Sequence, residues 1–435
     1  MATQAMTTVT KRRTEDSGFY DWGLLTIVMI LVGFGMVMVF SSSFAKGLDG
    51  YEDPFFYVAR QTLWCFLGLA TMIIISRIPY RIWERWSVIL MAVALFALML
   101  VVIFGSEEFA AKRTYFDGSV QPSEPAKIII IMYISAWLTS KGERIRDVRV
   151  GLLPFSVLMG AIAVLIVAQP NISTAILIVA TASIMFFIAG AELKQLLVIG
   201  AGAAATFWLV IKYSAYANGR VQRYLESLWD PMQSNEYQVQ QAVEALVRGG
   251  ITGRGIGNGH AQLPGYLPVS WSDNIFAVIG EEMGIIGALV IILLFAMLAY
   301  MGLRTALRAP DTFGMLLATG ITASHTLQAL LNMAVIVAAA PPTGVTLPFI
   351  SYGGSSLVTA LAAVGILLNI SRYAGEGKAP AALGNRTYAR FDLGWRNRGA
   401  RLSGTGSRRA AGKPSTTSRT RTSRPTRTAS RRATR

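Results

Sequence analysis

The chain has 435 residues, 53% of them hydrophobic and 15% charged, with a formal net charge of +16. Soluble domains carry about 25% charged residues, so an ordinary water-soluble enzyme is nearly excluded. The charge is uneven: residues 372–435 hold 17 Lys and Arg against Glu376 and Asp392, which leaves 23 basic and 22 acidic groups for the rest of the chain. The one cysteine, Cys65, forbids an internal disulfide, and the two histidines, His260 and His325, supply no structural zinc set.

A helix needs roughly 20 apolar residues to cross a bilayer. Trp22–Phe40, Gln61–Ser76 and Trp86–Ser106 predict three spans, and Ile128–Leu138 marks a fourth. Val150–Ala191 is too long for one helix and divides at Gln169-Pro170-Asn171 into a tight hairpin. Gln195–Ile211 and Met283–Leu303 follow. Thr312–Ser371 holds two more, separated by the stretch from Pro341-Pro342-Thr343-Gly344 to Gly353-Gly354. The expected fold is an all-α integral membrane protein of ten transmembrane helices, with a large outer loop at 214–274 between helices seven and eight. Residues 1–20 precede this membrane domain, which spans 21–372. Residues 373–435 form a Ser/Thr/Arg/Gly-rich tail with almost no aliphatic periodicity, expected to be disordered. The first run does not read as a cleaved signal peptide: it is long and no small-residue cleavage site follows cleanly.

Lys and Arg in short loops mark the cytoplasmic side. With ten alternating helices, Lys11-Arg12-Arg13, Arg77/Arg81/Arg85, Lys141/Arg144/Arg146/Arg149, Lys194, Arg304/Arg308 and the basic tail fall on one side. Both termini are then cytoplasmic. The opposite face receives 43–60, 106–124, 214–273 and 341–354, which hold most of the polar, motif-like segments. The tail reads most simply as solvated. Attraction to anionic membrane lipid, worth about 1 kcal/mol per basic residue near the surface, or binding of a cytoplasmic partner are the sharper readings. No nucleic-acid partner is expected.

Several polar groups fall where hydrocarbon makes them costly. Glu124 and Lys127 open the fourth helix, three residues apart and so on one face, where they can pair. Ser123 reads as the N-cap, with Pro125 tolerated in the first turn. The pair is either an interfacial cap or the polar floor of a cavity. Asp273 lies where the long outer loop enters the eighth helix, and an acid there also suits a helix N-terminus. Glu281 and Glu282 sit deeper than a cap requires, so at least one should face protein or water. His325, Gln328 and Asn332 form one polar stripe, read as interhelical hydrogen bonding rather than catalysis. The glycine-rich run 253–259 lacks the preceding strand, lysine and hydroxyl of a phosphate loop, and reads as a flexible outer loop.

In order along the chain stand Arg60-Gln61; Lys112-Arg113; Gln121-Pro122-Ser123-Glu124 with Lys127; Gln169-Pro170 and Thr174-Ala175; Asp230-Pro231 and Tyr237-Gln238; Gly249-Gly250 with Gly253, Gly255, Gly257 and Gly259; Leu267-Pro268, Asp273, Ile275-Phe276-Ala277 and Gly280-Glu281-Glu282; and Leu347-Pro348-Phe349-Ile350-Ser351-Tyr352-Gly353-Gly354-Ser355-Ser356. This set resembles the SEDS family, the shape, elongation, division and sporulation proteins, over roughly residues 20–372. The Leu367–Arg372 ending and Tyr266-Leu267-Pro268 look more like its FtsW branch than its RodA branch. Three stretches depart from the family pattern: Thr114 replaces an aromatic, Ser173 and Asn171 replace a glycine and an acid after Gln169-Pro170, and Trp271-Ser272-Asp273-Asn274 stands where His-Thr-Asp-Phe is usual.

The resemblance implies a peptidoglycan glycosyltransferase that polymerises lipid II at the outer face of the bacterial cytoplasmic membrane, for septal wall synthesis. A RodA-type elongation enzyme, a lipid II flippase, and a scaffold for a partner enzyme are the alternatives. The reaction needs a base for the acceptor hydroxyl, cationic stabilisation of the departing pyrophosphate, and a groove for the lipid. Asp273 is the candidate catalytic base. Arg60, Arg113, Lys127 and Arg223 are the candidate cations, with Glu124 holding Lys127. Gln121 and the Ser351, Tyr352, Gly353, Gly354, Ser355 and Ser356 run would line the cavity. No carboxylate cluster demands a metal, though a divalent cation (Mg or Mn) could assist at the pyrophosphate. The expected partners are lipid II, membrane lipids, a class B penicillin-binding protein transpeptidase, and other division or elongation proteins.

Overall fold

A computed structural model describes residues 20–104, 106–108, 111–114, 121–169, 171–227 and 236–373, without the side chains of 104, 106–108, 111–114, 215–217, 220 and 227. All of these lie in the first of two compact units, residues 1–385; the second unit, 386–435, and the rest of the basic tail lie outside the described residues.

The described chain is helical apart from one small hairpin. The long helices are α1 (Trp22–Tyr51), α2 (Phe56–Arg77), α3 (Arg81–Phe104), α4 (Ser123–Lys141), α5 (Leu153–Val167), α6 (Ile172–Ile188), α7 (Leu193–Tyr213), α10 (Ile275–Arg308), α11 (Thr312–Ile336) and α12 (Gly354–Arg372). Two amphipathic helices, α8 (Ala215–Ser227) and α9 (Tyr237–Gly249), lie between α7 and α10. Strands β1 (Ser106–Glu108) and β2 (Ala111–Thr114) pair antiparallel between α3 and α4, a hairpin with no hydrophobic signal in the sequence. Among the described residues seven segments have the length and apolar character to cross a membrane: α1, α2, α3, α5 with the turn before it, α7, α10 and α12. This is a multi-pass membrane protein.

Capping fixes several helix starts. Asp21 accepts from the amides of Gly23 and Leu24 ahead of α1, Asn171 from Thr174 ahead of α6, and Asp311 from Gly314 ahead of α11. The expected hairpin at 169–171 forms between α5 and α6, and Pro170 itself lies outside the described residues. Ser123 is not the cap of α4: Pro122 holds that position without a side-chain bond, and Ser123 is the first helical residue.

Helix α11 is the hub, packing against α4, α6, α10 and α12. Its buried face runs from Phe313 through Leu317, Ile321 and Gln328 to Ile336. Helices α2 and α12 lie together along their length, where Gly365 lets the backbone carbonyl of Met72 approach; a Cβ on that glycine would stand 2.6 Å from the oxygen. Close backbone approach over small residues is how helices pack when lipid removes any hydrophobic drive between them. Helix α7 buries only Gln195 and turns Leu193, Leu197, Val198 and Trp208 outward. In water such a helix would be untenable, and in lipid its self-satisfied backbone is sufficient.

Helix α10 breaks at Gly284 (φ 68°, ψ −167°). The glycine-rich segment read as a flexible loop fills this break. The amides of Arg254 and Gly255 donate to the carbonyls of Glu281 and Glu282, and those of Ile285 and Ile286 donate to Gly250 and Ile251. A broken helix at membrane depth survives only when other protein groups take up its freed backbone. The segment is therefore structural.

Candidate functional site

Glu124 and Lys127 form the pair that their spacing predicts. Lys127 Nζ lies 2.9 Å from Glu124 Oε1, and the side chains are 7% and 11% exposed. Lys127 also donates to Gln328 Oε1 on α11 at 2.7 Å, and Ser356 Oγ on α12 donates to Glu124 Oε2 at 3.1 Å. Three helices thus converge on one buried ion pair. Leaving either charge without the other would cost about 3–5 kcal/mol. The pair lines a small cavity with Ile128, Ser324, His325, Gln328, Pro348, Ser356, Thr359 and Ala360. A second, more apolar one lies beyond His325, against Leu298, Thr322, Phe349, Val364 and Leu367.

The stretch before α12 is held from several sides. Gln328 Nε2 donates to the Thr346 carbonyl at 3.0 Å, and Asn332 Nδ2 to the Val345 carbonyl at 2.7 Å. Ser351 Oγ accepts from the Leu347 amide and donates to the Ser272 carbonyl, both bonds shortened to 2.8 Å or less. The Gln61 side chain bridges Ser351 and Gly353. Gln121 reaches this run through its backbone amide, which donates to Ser355 Oγ at 3.2 Å. Phe349 adopts a left-handed backbone (φ 67°) with its ring stacked on His325 at 5.4 Å. Strained non-glycine residues of this kind concentrate at functional sites.

Asp273 stands one residue before Asn274, the N-cap of α10. Ser272 Oγ donates to its carboxylate at 3.1 Å, and Asn332 Nδ2 donates to its carbonyl at 2.8 Å. Val269, itself left-handed (φ 50°), turns its carbonyl to the amides of Ser272 and Asn274 and so shapes the turn. The carboxylate does not line the Lys127 cavity. The two are joined through α11, where Asn332 and Gln328 stand one turn apart. The predicted stripe is hence split in use: Gln328 bonds Lys127 on α4, Asn332 bonds the loop carbonyls of Asp273 and Val345, and His325 Nδ1 bonds its own helix at the Ile321 carbonyl, 2.8 Å away.

The candidate cations do not all gather there. Arg60 is exposed at the start of α2, over the Phe56 ring at 5.2 Å and beside Tyr352. Burial pushes the Tyr352 hydroxyl above its ordinary range, against the pull of the Arg60 guanidinium, so it stays a protonated donor at neutral pH. Arg223 on α8 pairs instead with Glu236, Nε to Oε1 at 2.6 Å. That partner lies thirteen residues on, beyond one helix, and no local spacing announces it. Arg113 lies in β2, and its side chain is outside the described residues. Thr346, which contacts both Gln328 and Ser356, carried no sequence signal.

Among the described residues no group of three or more His, Cys, Asp or Glu side chains is placed to hold a metal ion. Glu124, the one carboxylate lining the cavity, is taken up by Lys127 and Ser356. Among the described residues that line the cavity, the donor set does not fit a resident divalent cation.

An all-helical bundle with buried charges under a polar loop cluster defines a class, the multi-pass membrane proteins with an internal polar site. Residues 22–376 match the family described as "Cell cycle protein", comprising FtsW, RodA and SpoVE. The chain belongs to this family. It is 39% identical over 367 residues to "Probable peptidoglycan glycosyltransferase FtsW" of Trichlorobacter lovleyi, covering 83% of this chain and 95% of that one. It is 36% identical over 357 residues to "Stage V sporulation protein E" of Bacillus subtilis, covering 81% and 97%. Among solved structures, it matches a chain reported under "Structural coordination of polymerization and crosslinking by a peptidoglycan synthase complex", with a TM-score of 0.67 and 26% identity over 82% of this chain and 99% of that one. The rod shape determining protein RodA of Thermus thermophilus shares the fold, with a TM-score of 0.60 and 24% identity over 82% and 98%.

Proposed function

We propose that this chain is a peptidoglycan glycosyltransferase of septal wall synthesis, polymerising lipid II at the outer face of the bacterial cytoplasmic membrane. The observation that carries the chemistry is a division of labour on one helix. Through Gln328, α11 holds a buried cation, Lys127; through Asn332, it holds the segment bearing a half-buried acid, Asp273. Asp273 takes the proton from the acceptor hydroxyl, whose oxygen then bonds to the anomeric carbon of the donor sugar. Positioned proton transfer contributes about 10²–10⁴-fold. The bond to the lipid pyrophosphate breaks, and Lys127 stabilises its charge. Glu124 keeps Lys127 in place, and of the Ser351–Ser356 run it is Ser356 that supplies its hydroxyl to the cavity. Arg223, bound to Glu236, holds the loop instead.

The topology belongs to the same reading. Helices α4, α6 and α11 cross beside the other seven, giving ten spans, with 214–274 as the large outer loop of a 21–372 membrane domain. Both termini are cytoplasmic, and 373–435 is a basic cytoplasmic tail. This is supported by bonds at one end of the bundle. The Asp21 amide donates to Ser371 Oγ, Arg372 to the Tyr20 hydroxyl, the Tyr80 amide to Asn369 Oδ1, and Arg81 to Asp311. They gather the start of α1 and the end of α12 with the basic turn between α2 and α3. The partner is a class B penicillin-binding protein, as polymerised strands need crosslinking.

The test is polymer formation from lipid II by the purified protein in detergent, where transport across a membrane has no meaning. Wild type is expected to make glycan strands and Asp273→Asn none, at unchanged thermal stability. Wild-type rates in the variant reject the base. A wild-type protein that makes no polymer but moves lipid II between vesicle leaflets is a transporter instead.

A further inference from the structure

Trp271 stands where the family resemblance expects a histidine, two residues before Asp273, and its ring has company. Tyr57 on α2 lies 5.2 Å from Trp271 and, edge to face, 5.3 Å from Tyr352. The three half-buried rings come from three separated segments. The Tyr352 amide donates to the Trp271 carbonyl at 2.9 Å, which clasps two of them by their backbones. On the other side of Tyr57 lie Phe56 and Tyr51, stacked on each other at 3.7 Å, with the Arg60 guanidinium over Phe56. The row runs from the acid-bearing turn to the exposed Tyr51. Aromatic rings at a membrane surface commonly anchor the protein to lipid headgroups. Tyr51 and Phe55, each more than half exposed, fit that role. Trp271, Tyr57 and Tyr352 do not: they are packed on one another, fixed to the Asp273 segment, and flanked by hydroxyl and guanidinium donors.

We propose that Trp271, Tyr57 and Tyr352 form a pyranose-stacking subsite that holds the growing glycan strand beside Asp273. The inference rests on the polymerase reading and goes beyond it. A sugar ring presents a face of C–H groups that packs on an aromatic face, while its rim hydroxyls take hydrogen bonds from donors such as Tyr352 and Arg60. A polymerase needs a place for the part of the strand that is not reacting, because binding energy from remote sugars raises the rate at the reacting one. A strand that leaves after each addition gives short products; a strand that stays gives long ones.

Two readouts test this. The first is product strand length with lipid II. Trp271→Ala is expected to shorten the strands about fivefold, the equivalent of one lost ring contact, with Trp271→Tyr restoring most of the length. The second is binding of a soluble β-1,4-linked N-acetylglucosamine hexamer, measured by calorimetry in detergent. The wild type binds it, while Trp271→Ala and Tyr57→Leu bind about fivefold more weakly. Folding is checked by thermal unfolding, and Trp271→Tyr serves where the alanine variant fails to fold. Unchanged strand length and hexamer affinity in folded variants overturn the subsite, as does a wild type that binds no hexamer. A wild type that binds the hexamer through Trp271 yet makes no polymer supports the subsite and rejects the polymerase reading. Loss of vesicle insertion with unchanged hexamer binding assigns the rings to lipid and overturns the proposal.

Discussion

Gly253 and Gly284 interlock. A Cβ on Gly284 would overlap the carbonyl oxygen of Ile251, and one on Gly253 would overlap that of Glu282. Both have positive φ, 79° and 68°, so a side chain is opposed by backbone torsion as well as by space. Gly284→Ala and Gly253→Ala are each expected to cost about 2–4 kcal/mol, read as a fall in thermal midpoint or in folded yield in detergent. Gly160→Ala, in the middle of α5 with open space around it, is the control and should stabilise by about 0.5–1 kcal/mol.

The Glu124–Lys127 pair is expected to show strong coupling. Lys127→Ala strands a buried carboxylate and Glu124→Ala strands a buried ammonium, each costing about 3–5 kcal/mol. The double variant should cost much less than the sum. A mutant cycle on unfolding stability gives the interaction directly. Additivity within about 0.5 kcal/mol would mean that Gln328 and Ser356 hold the two groups without each other.

Asn332 does not line the cavity of the ion pair, yet it holds the Asp273 carbonyl and the Val345 carbonyl together. Asn332→Leu keeps the branched shape and removes both bonds. Polymerisation is expected to fall about 10²-fold through kcat, since displacement of a reacting group by about 1 Å costs that much. A change confined to KM would assign Asn332 to substrate binding instead.

At the opposite end, Asp311 Oδ2 accepts from the Tyr80 hydroxyl at 2.7 Å and from Arg81 Nε at 3.0 Å while Oδ1 caps α11. Asp311→Ala should cost about 2 kcal/mol. Burial first, and the bond to Asp311 second, raise the Tyr80 hydroxyl above its ordinary value of 10.0. The native state keeps a proton that the unfolded chain loses, so this stability is complete below pH 10 and is lost as pH rises beyond it. Thermal midpoints between pH 9 and pH 11 should therefore fall less steeply for Tyr80→Phe than for wild type.

What the sequence determined by itself was whatever lies within a few residues along one helix. The uncharged runs mark α1, α2 and α3, because length and apolarity alone decide whether a segment is stable in lipid. The three-residue spacing of Glu124 and Lys127 places them on one face wherever that helix sits. The helix starting at Ile275 is less legible, as Glu281 and Glu282 interrupt it before the uncharged run from Met283, and the break at Gly284 carries no local signature beyond one glycine.

The tertiary structure decided the partners. Lys127 with Gln328, Glu124 with Ser356, Asp273 with Asn332 and Ser41 with Glu282 are pairs 59 to 241 residues apart in the chain. Which of two equivalent polar residues on a stripe bonds across helices, and which turns back on its own, depends on what the neighbouring helix presents. Gln328 met a lysine and His325 met a phenylalanine ring. The glycine-rich run 253–259 became a plug because a helix broken about three turns beyond Asp273 left backbone groups that only another backbone could satisfy.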